Sequence, residues 1–346
     1  MAAAQTESQA LAAVAALRAG LERIAPKLVA GATGVPRLDR LSGGASQETW
    51  AFDVAAPAAS GEAAVSKWIL RRSPPGVDPR ASMGCGLEVE ARLIGLASEA
   101  GVPVPGVGHV LTPEDGIGVG FIMTRLEGET LPPKILKDPA FAPMLPGLAA
   151  QCGAALARIH GIDLDRLPPL RTAPAAGEVA AYLERHRRYG VPKPVFELAF
   201  RWLGQNMPAP KPRLALVHGD FRHGNLMIGT DGLRGVLDWE LAHLGDPMED
   251  LGWICVNSWR FGRTEMPVGG FGTREQLFEA YEAAGGMRVN PEEVRFWEVL
   301  GTLKWGVMCE GMAHAFLAGE RNVERAAIGR RSSETEIDLL NLLLPR

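Results

Sequence analysis

The feature that most constrains this chain is a loop near residue 220, set between short apolar runs. Leu214-Ala215-Leu216-Val217 is apolar and brief, as a buried strand requires. His218-Gly219-Asp220 breaks it, because Gly219 permits backbone angles that other residues resist. Gly224-Asn225 closes the loop, and Leu226-Met227-Ile228 resumes an apolar strand. Thr230-Asp231-Gly232 is a turn signal with strand on both sides. It predicts a hairpin whose second strand covers residues 233–237 and ends at Asp238. Such a hairpin brings Asn225 and Asp238 to neighbouring strand ends.

That proximity has chemical meaning. Asp220, Asn225 five residues on, and Asp238 thirteen residues after that match the needs of phosphate transfer from ATP. One carboxylate orients the attacking hydroxyl and accepts its proton. An amide oxygen and a second carboxylate hold the magnesium that bridges the phosphates. Magnesium takes oxygen ligands, keeps several waters, and commonly uses one or two carboxylates plus substrate phosphates. Singly, Asp220, Asn225 and Asp238 are ordinary turn or cap residues. Their joint spacing, with Gly245-Asp246-Pro247-Met248-Glu249-Asp250-Leu251 downstream, points to a site.

These residues resemble the aminoglycoside phosphotransferase and choline kinase superfamily. Within it, the run from Leu237-Asp238-Trp239-Glu240 to Gly245-Asp246-Pro247 is similar to a "phosphotransferase family" subgroup. That subgroup is related to the kinase-like domain of some acyl-CoA dehydrogenases. Arg71-Arg72-Ser73-Pro74-Pro75-Gly76 shares the likeness, which covers residues 41–344. It implies an α+β, bilobal, protein-kinase-like fold. A small N-terminal antiparallel-sheet lobe (residues 1–126) would bind nucleotide. A larger, mainly helical C-terminal lobe (residues 127–346) would carry catalysis and the acceptor. By resemblance Asp220 is the catalytic base, Asn225 and Asp238 are the metal ligands, and His218, Asp246 and Asp250 support the loop. The implied cofactors are ATP and magnesium, and the implied partner is a small-molecule acceptor.

Composition agrees with a large globular chain. With 346 residues it can bury a sizeable core in two lobes. Apolar content of 47% and charged content of 22% are ordinary for such proteins. A net charge of −4 carries no basic footprint for nucleic acid. Cys85, Cys152, Cys255 and Cys309 are widely spaced and read as buried thiols, not as a zinc site or disulfide frame. No stretch reaches the apolar length of a membrane span, and the N-terminus lacks a signal-peptide pattern. The expected compartment is the cytoplasm. Oligomeric state leaves no trace in the sequence.

Along the chain, residues 10–29 read as an amphipathic helix. Residues 49–54 and 65–72 read as strands around a loop, 88–100 as a helix, and 118–125 as another strand. The lobe boundary falls near residues 126–130, with Leu131-Pro132-Pro133 as a connection. Helices are then expected at 147–160, 175–190, 193–205, 250–260, 274–284, 291–317 and 334–344.

In the first lobe, Leu41-Ser42-Gly43-Gly44-Ala45-Ser46-Gln47 precedes a strand and suits a phosphate-covering loop. No Gly-Lys-Ser/Thr follows, so it is not a Walker sequence. Lys67, Ile69 and Arg71 share one strand face. By resemblance Arg71 is the phosphate-pairing cation where many relatives carry Lys, with Lys67 as its rival. Its expected partner is Glu90, which lies thirteen residues before Pro103, rather than Glu88. Residues 121–128 resemble an adenine-binding hinge, with Met123, Thr124 and Leu126 at the nucleotide.

The remaining signals concern the acceptor. His223, inside the loop, is expected to face solvent, and His160 to be structural. Trp253, Trp259, Arg260, Phe261 and Arg263 follow Asp250. Trp297, Lys304 and Trp305 come later, then Arg321, Arg325, Arg330 and Arg331. Aromatics beside arginines suit an apolar acceptor with an anionic part. Trp297 and Trp305 also suit a core, and the scattered arginines suit a solvated surface. The acceptor reading is therefore an acyl or hydroxyacyl-CoA compound. The alternatives are an aminoglycoside, choline or amino-alcohol kinase, and a nucleotide-binding pseudokinase.

Overall fold

Alternating apolar residues along residues 48–57 set up the N-terminal architecture. In the computed structural model, residues 2–43, 47–57, 63–76, 84–211 and 213–344 are described. The chain divides into two units, Met1–Glu99 with Val104–Glu127, and Ala100–Pro103 with Gly128–Arg346.

The first unit holds an antiparallel sheet in the order β1-β2-β3-β5-β4. Its strands are β1 (Gly34–Gly43), β2 (Glu48–Pro57), β3 (Ala63–Ser73), β4 (Val107–Val110) and β5 (Val119–Thr124). Trp50 pairs with Leu70, Phe52 with Trp68, and Leu70 with Ile122. By the two-residue period these side chains share one face. α1 (Ala2–Leu28) closes that face with Leu17, Leu21 and Ile24, making one apolar cluster. α2 (Leu87–Glu99) packs beside β4 and β5 and buries Ala91, Leu93 and Ile94. α1 starts earlier than the expected residue 10. Its first turns are rich in Ala, Ser and Gln and show no apolar stripe to mark them.

The second unit is mainly helical. Its first helices are α3 (Pro132–Lys137), α4 (Leu145–His160), α5 (Ala175–Tyr189) and α6 (Pro194–Gln205). Next come two small antiparallel pairs. β6 (Ala215–Val217) pairs with β9 (His243–Gly245), and β7 (Leu226–Gly229) with β8 (Gly232–Val236). Then follow α7 (Met248–Trp253), α8 (Arg274–Ala283), α9 (Pro291–Leu317), α10 (Val323–Gly329) and α11 (Ser332–Leu343). α9 buries Val294, Phe296, Trp297, Leu300, Leu303 and Val307, so it is apolar around its circumference. α5, α6, α7, α10 and α11 pack on it.

Four expectations are corrected. Pro132 and Pro133 open α3 instead of a bare connection, since a proline in the first turn gives up no helix hydrogen bond. The helix expected over 250–260 ends at Trp253 and resumes only as a single turn, Asn257–Trp259. β9 and α10 were not foreseen, being too short to show a period. Cys85 is half-buried, while Cys152, Cys255 and Cys309 are buried; all four are free thiols. Among the described residues no helix is long and apolar enough to cross a membrane.

Candidate active site

The loop after β6 is held from below by one carboxylate. Asp250, on α7 and fully buried, accepts the backbone N–H of His218 at 2.8 Å and of Gly219 at 2.9 Å. His160, at the end of α4, places Nε2 3.1 Å from the same carboxylate and Nδ1 2.9 Å from the Tyr281 hydroxyl. His160 is thus structural. Gly219 has φ +80°, and a Cβ there would lie 2.5 Å from the Leu241 carbonyl oxygen. Only glycine suits that turn. Asp246 acts one step away, accepting the Met248 N–H at 3.0 Å at the start of α7.

Asp220 emerges from this support. Its backbone N–H donates to His218 Nδ1 at 3.2 Å. Burial pushes the His218 imidazole below its ordinary pKa, so it is neutral and accepts here. The Asp220 carboxylate has three donors. Trp253 Nε1 lies 2.8 Å and Arg222 Nε 3.0 Å from Oδ1, and Asn225 Nδ2 lies 2.6 Å from Oδ2. Asn225 Nδ2 also donates to the Asp220 carbonyl at 3.0 Å. Burial raises the Asp220 carboxyl above its ordinary pKa, and Arg222 and Trp253 offset part of that.

The hairpin sets the other acid. Leu226 pairs with Val236, and the Leu237 N–H donates to the Asn225 carbonyl at 2.9 Å. Asp238 therefore sits beside Asn225 at the strand end. Its backbone is left-handed, φ +65° and ψ +67°, which Asp tolerates better than most residues. The Asn225 amide donates through Nδ2 to both Asp220 oxygens, the carbonyl and Oδ2, which leaves Oδ1 for a metal. With the Asp238 carboxylate this is the hard oxygen set that magnesium prefers. Among the described residues no trio of His, Cys, Asp or Glu could hold a metal by itself. A magnesium here would complete its shell with phosphate and water.

In the first unit, Arg71 Nη1 lies 2.9 Å from Glu90 Oε1. Glu90 is 1% exposed, whereas Glu88 is exposed. Lys67 turns instead to Glu127 at 2.5 Å, near the surface. Arg72, on the opposite face, is buried against Glu48 and the Ile117 carbonyl. Met123 is buried and paired within the sheet to Ile69 and Val107. The Thr124 hydroxyl accepts the Gly106 N–H at 2.9 Å. Leu126 follows half-buried, with no backbone hydrogen bond among the described residues. Ser46, expected in the phosphate-covering loop, lies outside the described residues.

Two expectations change in this region. His223 does not face solvent. It is fully buried, with Nδ1 2.7 Å from the Gly269 carbonyl and its ring against Phe261 and Phe271. Burial pushes its pKa down to about 4. The cations suggested for an acceptor are mostly engaged. Lys304 is buried between Glu178 (3.2 Å) and Glu249 (3.0 Å), and Arg260 holds Glu298 and the Cys255 carbonyl. Arg325 and Arg331 pair with Glu320 and Glu334.

Sequence reasoning missed Arg222 and Trp253 as direct partners of Asp220. A signal existed for Trp253. It lies three residues after Asp250 on α7, hence on a shared helix face.

Known proteins resemble this chain over most of its length. Residues 37–297 match the phosphotransferase enzyme family. Acyl-CoA dehydrogenase family member 10 of Mus musculus is 31% identical over 204 residues, which are 54% of this chain and 18% of that one. Acyl-CoA dehydrogenase family member 11 of Gallus gallus is 25% identical over 284 residues, 74% of this chain and 35% of that one. The chain thus spans about a third or less of these relatives. Among solved structures, one from Ralstonia eutropha JMP134, described as a putative aminoglycoside phosphotransferase, has a TM-score of 0.71 at 19% identity. The likeness covers 95% of this chain and 97% of that one. Macrolide 2'-phosphotransferase MphH of Brachybacterium faecium has a TM-score of 0.56 at 20% identity, covering 94% and 98%. With its kinase-like fold, the chain belongs to the phosphotransferase enzyme family.

Proposed function

We propose that the chain is an ATP- and magnesium-dependent kinase that phosphorylates the hydroxyl of a hydroxyacyl-CoA or related acyl compound. The observation that carries the reading is the Asp220 carboxylate, held by Trp253, Arg222 and Asn225 beside Asp238. Asn225 and Asp238 would hold magnesium, which supplies neutralisation of the phosphate charge when bound. On the nucleotide side Arg71, braced by Glu90, would pair with phosphate. Ser46 would belong to the covering loop, and Met123, Thr124 and Leu126 to the adenine hinge. The Thr124 N–H already donates to the Gly106 carbonyl, so Leu126 is the better backbone contact.

The hydrogen bonds around Asp220 favour one oxygen, Oδ2, as the atom that would take the proton. A carboxylate offers about four lone-pair directions, two on each oxygen. Trp253 and Arg222 fill both on Oδ1, while Asn225 fills one on Oδ2. The remaining direction on Oδ2 receives the acceptor hydroxyl. As that oxygen bonds to the γ-phosphorus in line, the bond to the leaving ADP breaks and the proton passes to Oδ2.

The acyl acceptor draws support from the Arg222 cation beside Asp220 and from the relatives named as acyl-CoA dehydrogenase family members. The test is magnesium-dependent transfer from ATP to hydroxyacyl-CoAs, free hydroxy acids, aminoglycosides and choline, in wild type and Asp220→Asn. Turnover with the acyl class, lost in the variant, is the expected result. Turnover only with aminoglycosides would overturn the acceptor. ATP binding without transfer to any acceptor would move the reading to a pseudokinase.

A further inference from the structure

Arg222 is a cation that the site holds firmly but leaves half-used. It follows Asp220 by two residues, with Nε 3.0 Å from Oδ1, and its guanidinium lies 4.7 Å from the centre of the Trp259 ring. Trp259 is fixed in turn, 5.3 Å from the Trp253 ring and 5.0 Å from the Trp305 ring. Gly224 makes room for the group, since a Cβ there would lie 2.7 Å from Arg222 Nη1. The guanidinium is thereby gripped by one edge and one face. Its outer edge carries Nη1 and Nη2, and neither has a protein acceptor among the described residues. The side chain is 26% exposed, so that edge is reachable. Arg260 and Lys304 nearby meet carboxylates through their terminal nitrogens, whereas Arg222 meets the Asp220 carboxylate through Nε alone.

We propose that Arg222 determines acceptor specificity: its outer edge takes the acyl oxygen of a hydroxyacyl acceptor, a few bonds from the hydroxyl that Asp220 orients. This rests on the kinase reading above. A planar guanidinium matches a carboxylate with two parallel N–H bonds, and a single carbonyl with one or two. The shared ligand chemistry is an acyl oxygen, from a free hydroxy acid or from its thioester. Placement favours the acceptor over the nucleotide. Arg222 grips the Oδ1 edge of Asp220, whereas Asn225, beside Asp238, grips the Oδ2 edge. The expected metal and its phosphates belong to the second edge. The cation–π contact holds the guanidinium in place before the acceptor arrives, so little freedom is lost on binding. A cationic acceptor would meet like charge at the same point.

The experiment uses the full chain with ATP and magnesium. Its probes are hydroxyalkanoic acids with the hydroxyl on the α, β, γ or δ carbon, their N-acetylcysteamine thioesters, and amino alcohols of equal length. Turnover is measured for wild type, Arg222→Gln and Arg222→Lys, and binding is followed by quenching of tryptophan fluorescence. One acid or thioester is expected to bind and turn over best, and the better of the two names the oxygen source. Arg222→Gln should raise its KM by roughly tenfold or more, with the KM for ATP changed less than roughly twofold. Arg222→Lys keeps the charge and loses the fork, so it should fall between. The proposal is overturned if Arg222→Gln lowers kcat equally for every acceptor with KM unchanged, which would mean action through Asp220 alone. A raised KM for ATP, or amino alcohols binding as well as acids, would also overturn it. If wild type transfers phosphate to aminoglycosides or choline alone, the acceptor assignment fails and the kinase stands. If ATP is never consumed, the kinase reading itself fails and this proposal with it.

Discussion

Replacing Asp250 with Ala should unfasten the loop that carries Asp220, and the structure sets the size of the effect. The Asp250 carboxylate accepts from His218 N–H, Gly219 N–H and His160 Nε2, and it is fully buried, so water has no easy way in. A buried donor left without a partner costs about 1–3 kcal/mol. The two peptide N–H groups alone then give a loss of about 2–6 kcal/mol, a large part of the about 5–15 kcal/mol typical of a folded domain. Urea unfolding followed by tryptophan fluorescence measures it as a lowered midpoint. Tyr281→Phe is the internal control. It removes the outer bond to His160 Nδ1 and the hydroxyl's bond to the Met287 backbone, so about 1–3 kcal/mol should go, with the loop's own N–H groups still paired. Asp250→Asn keeps an acceptor for part of the set and should fold well enough to assay. Its kcat should drop while its KM for ATP holds, because the Arg71–Glu90 pair belongs to the other unit. A stability loss under about 1 kcal/mol for Asp250→Ala would show that the loop finds other partners, and the bracing argument would fail.

Three further outcomes follow from the same contacts. Burial raises the Asp220 carboxyl, and the base must be ionised, so the acid limb of kcat/KM should lie above the ordinary aspartate range of about 3.9. Trp253→Phe removes a donor that favours the charged form and should move that limb to still higher pH; no movement would contradict the assignment. Arg71→Ala should raise the KM for ATP roughly tenfold or more, whereas Lys67→Ala, whose ammonium turns to Glu127, should change it less than roughly twofold. Lys304→Met leaves Glu249 with His243 alone and Glu178 with Arg171 alone, and should cost up to about 3–5 kcal/mol at neutral pH. Against its own burial, Glu249 is held down to about 2 by Lys304 and His243. The stability from this pairing is therefore complete above the ordinary glutamate value of about 4.3. It fades as pH falls toward about 2, so the gap between variant and wild type should narrow over that span.

What could be read in advance, and what could not, divides by the range of the interaction. Asp220, Asn225 and Asp238 stand out because loop and hairpin geometry is local. Gly219 and Gly224 make the turn, and the hairpin of β7 and β8 returns the chain to Asn225 within a dozen residues. Arg71 and Glu90 were expected from the family resemblance, since the strand period alone left Lys67 on the same face, and the structure pairs the two. The donors on Asp220 are a mixed case. Arg222 is local but was hidden, because nothing in a loop sequence says which way a side chain folds back. Trp253 comes from thirty-three residues away, and its role as a donor depends on α7 seating Asp250 beneath the loop. His223 was misjudged because its cover, Gly269 with Phe261 and Phe271, arrives from a later irregular segment. β9 escaped notice because three residues carry no period, and only pairing with β6 makes them a strand. The proposed catalytic set was therefore written locally, while the surroundings of the Asp220 carboxylate were assembled by tertiary contacts. It follows that substitutions at Trp253 and Arg222 should alter how Asp220 performs without erasing it, and that Asp220→Asn alone should abolish transfer.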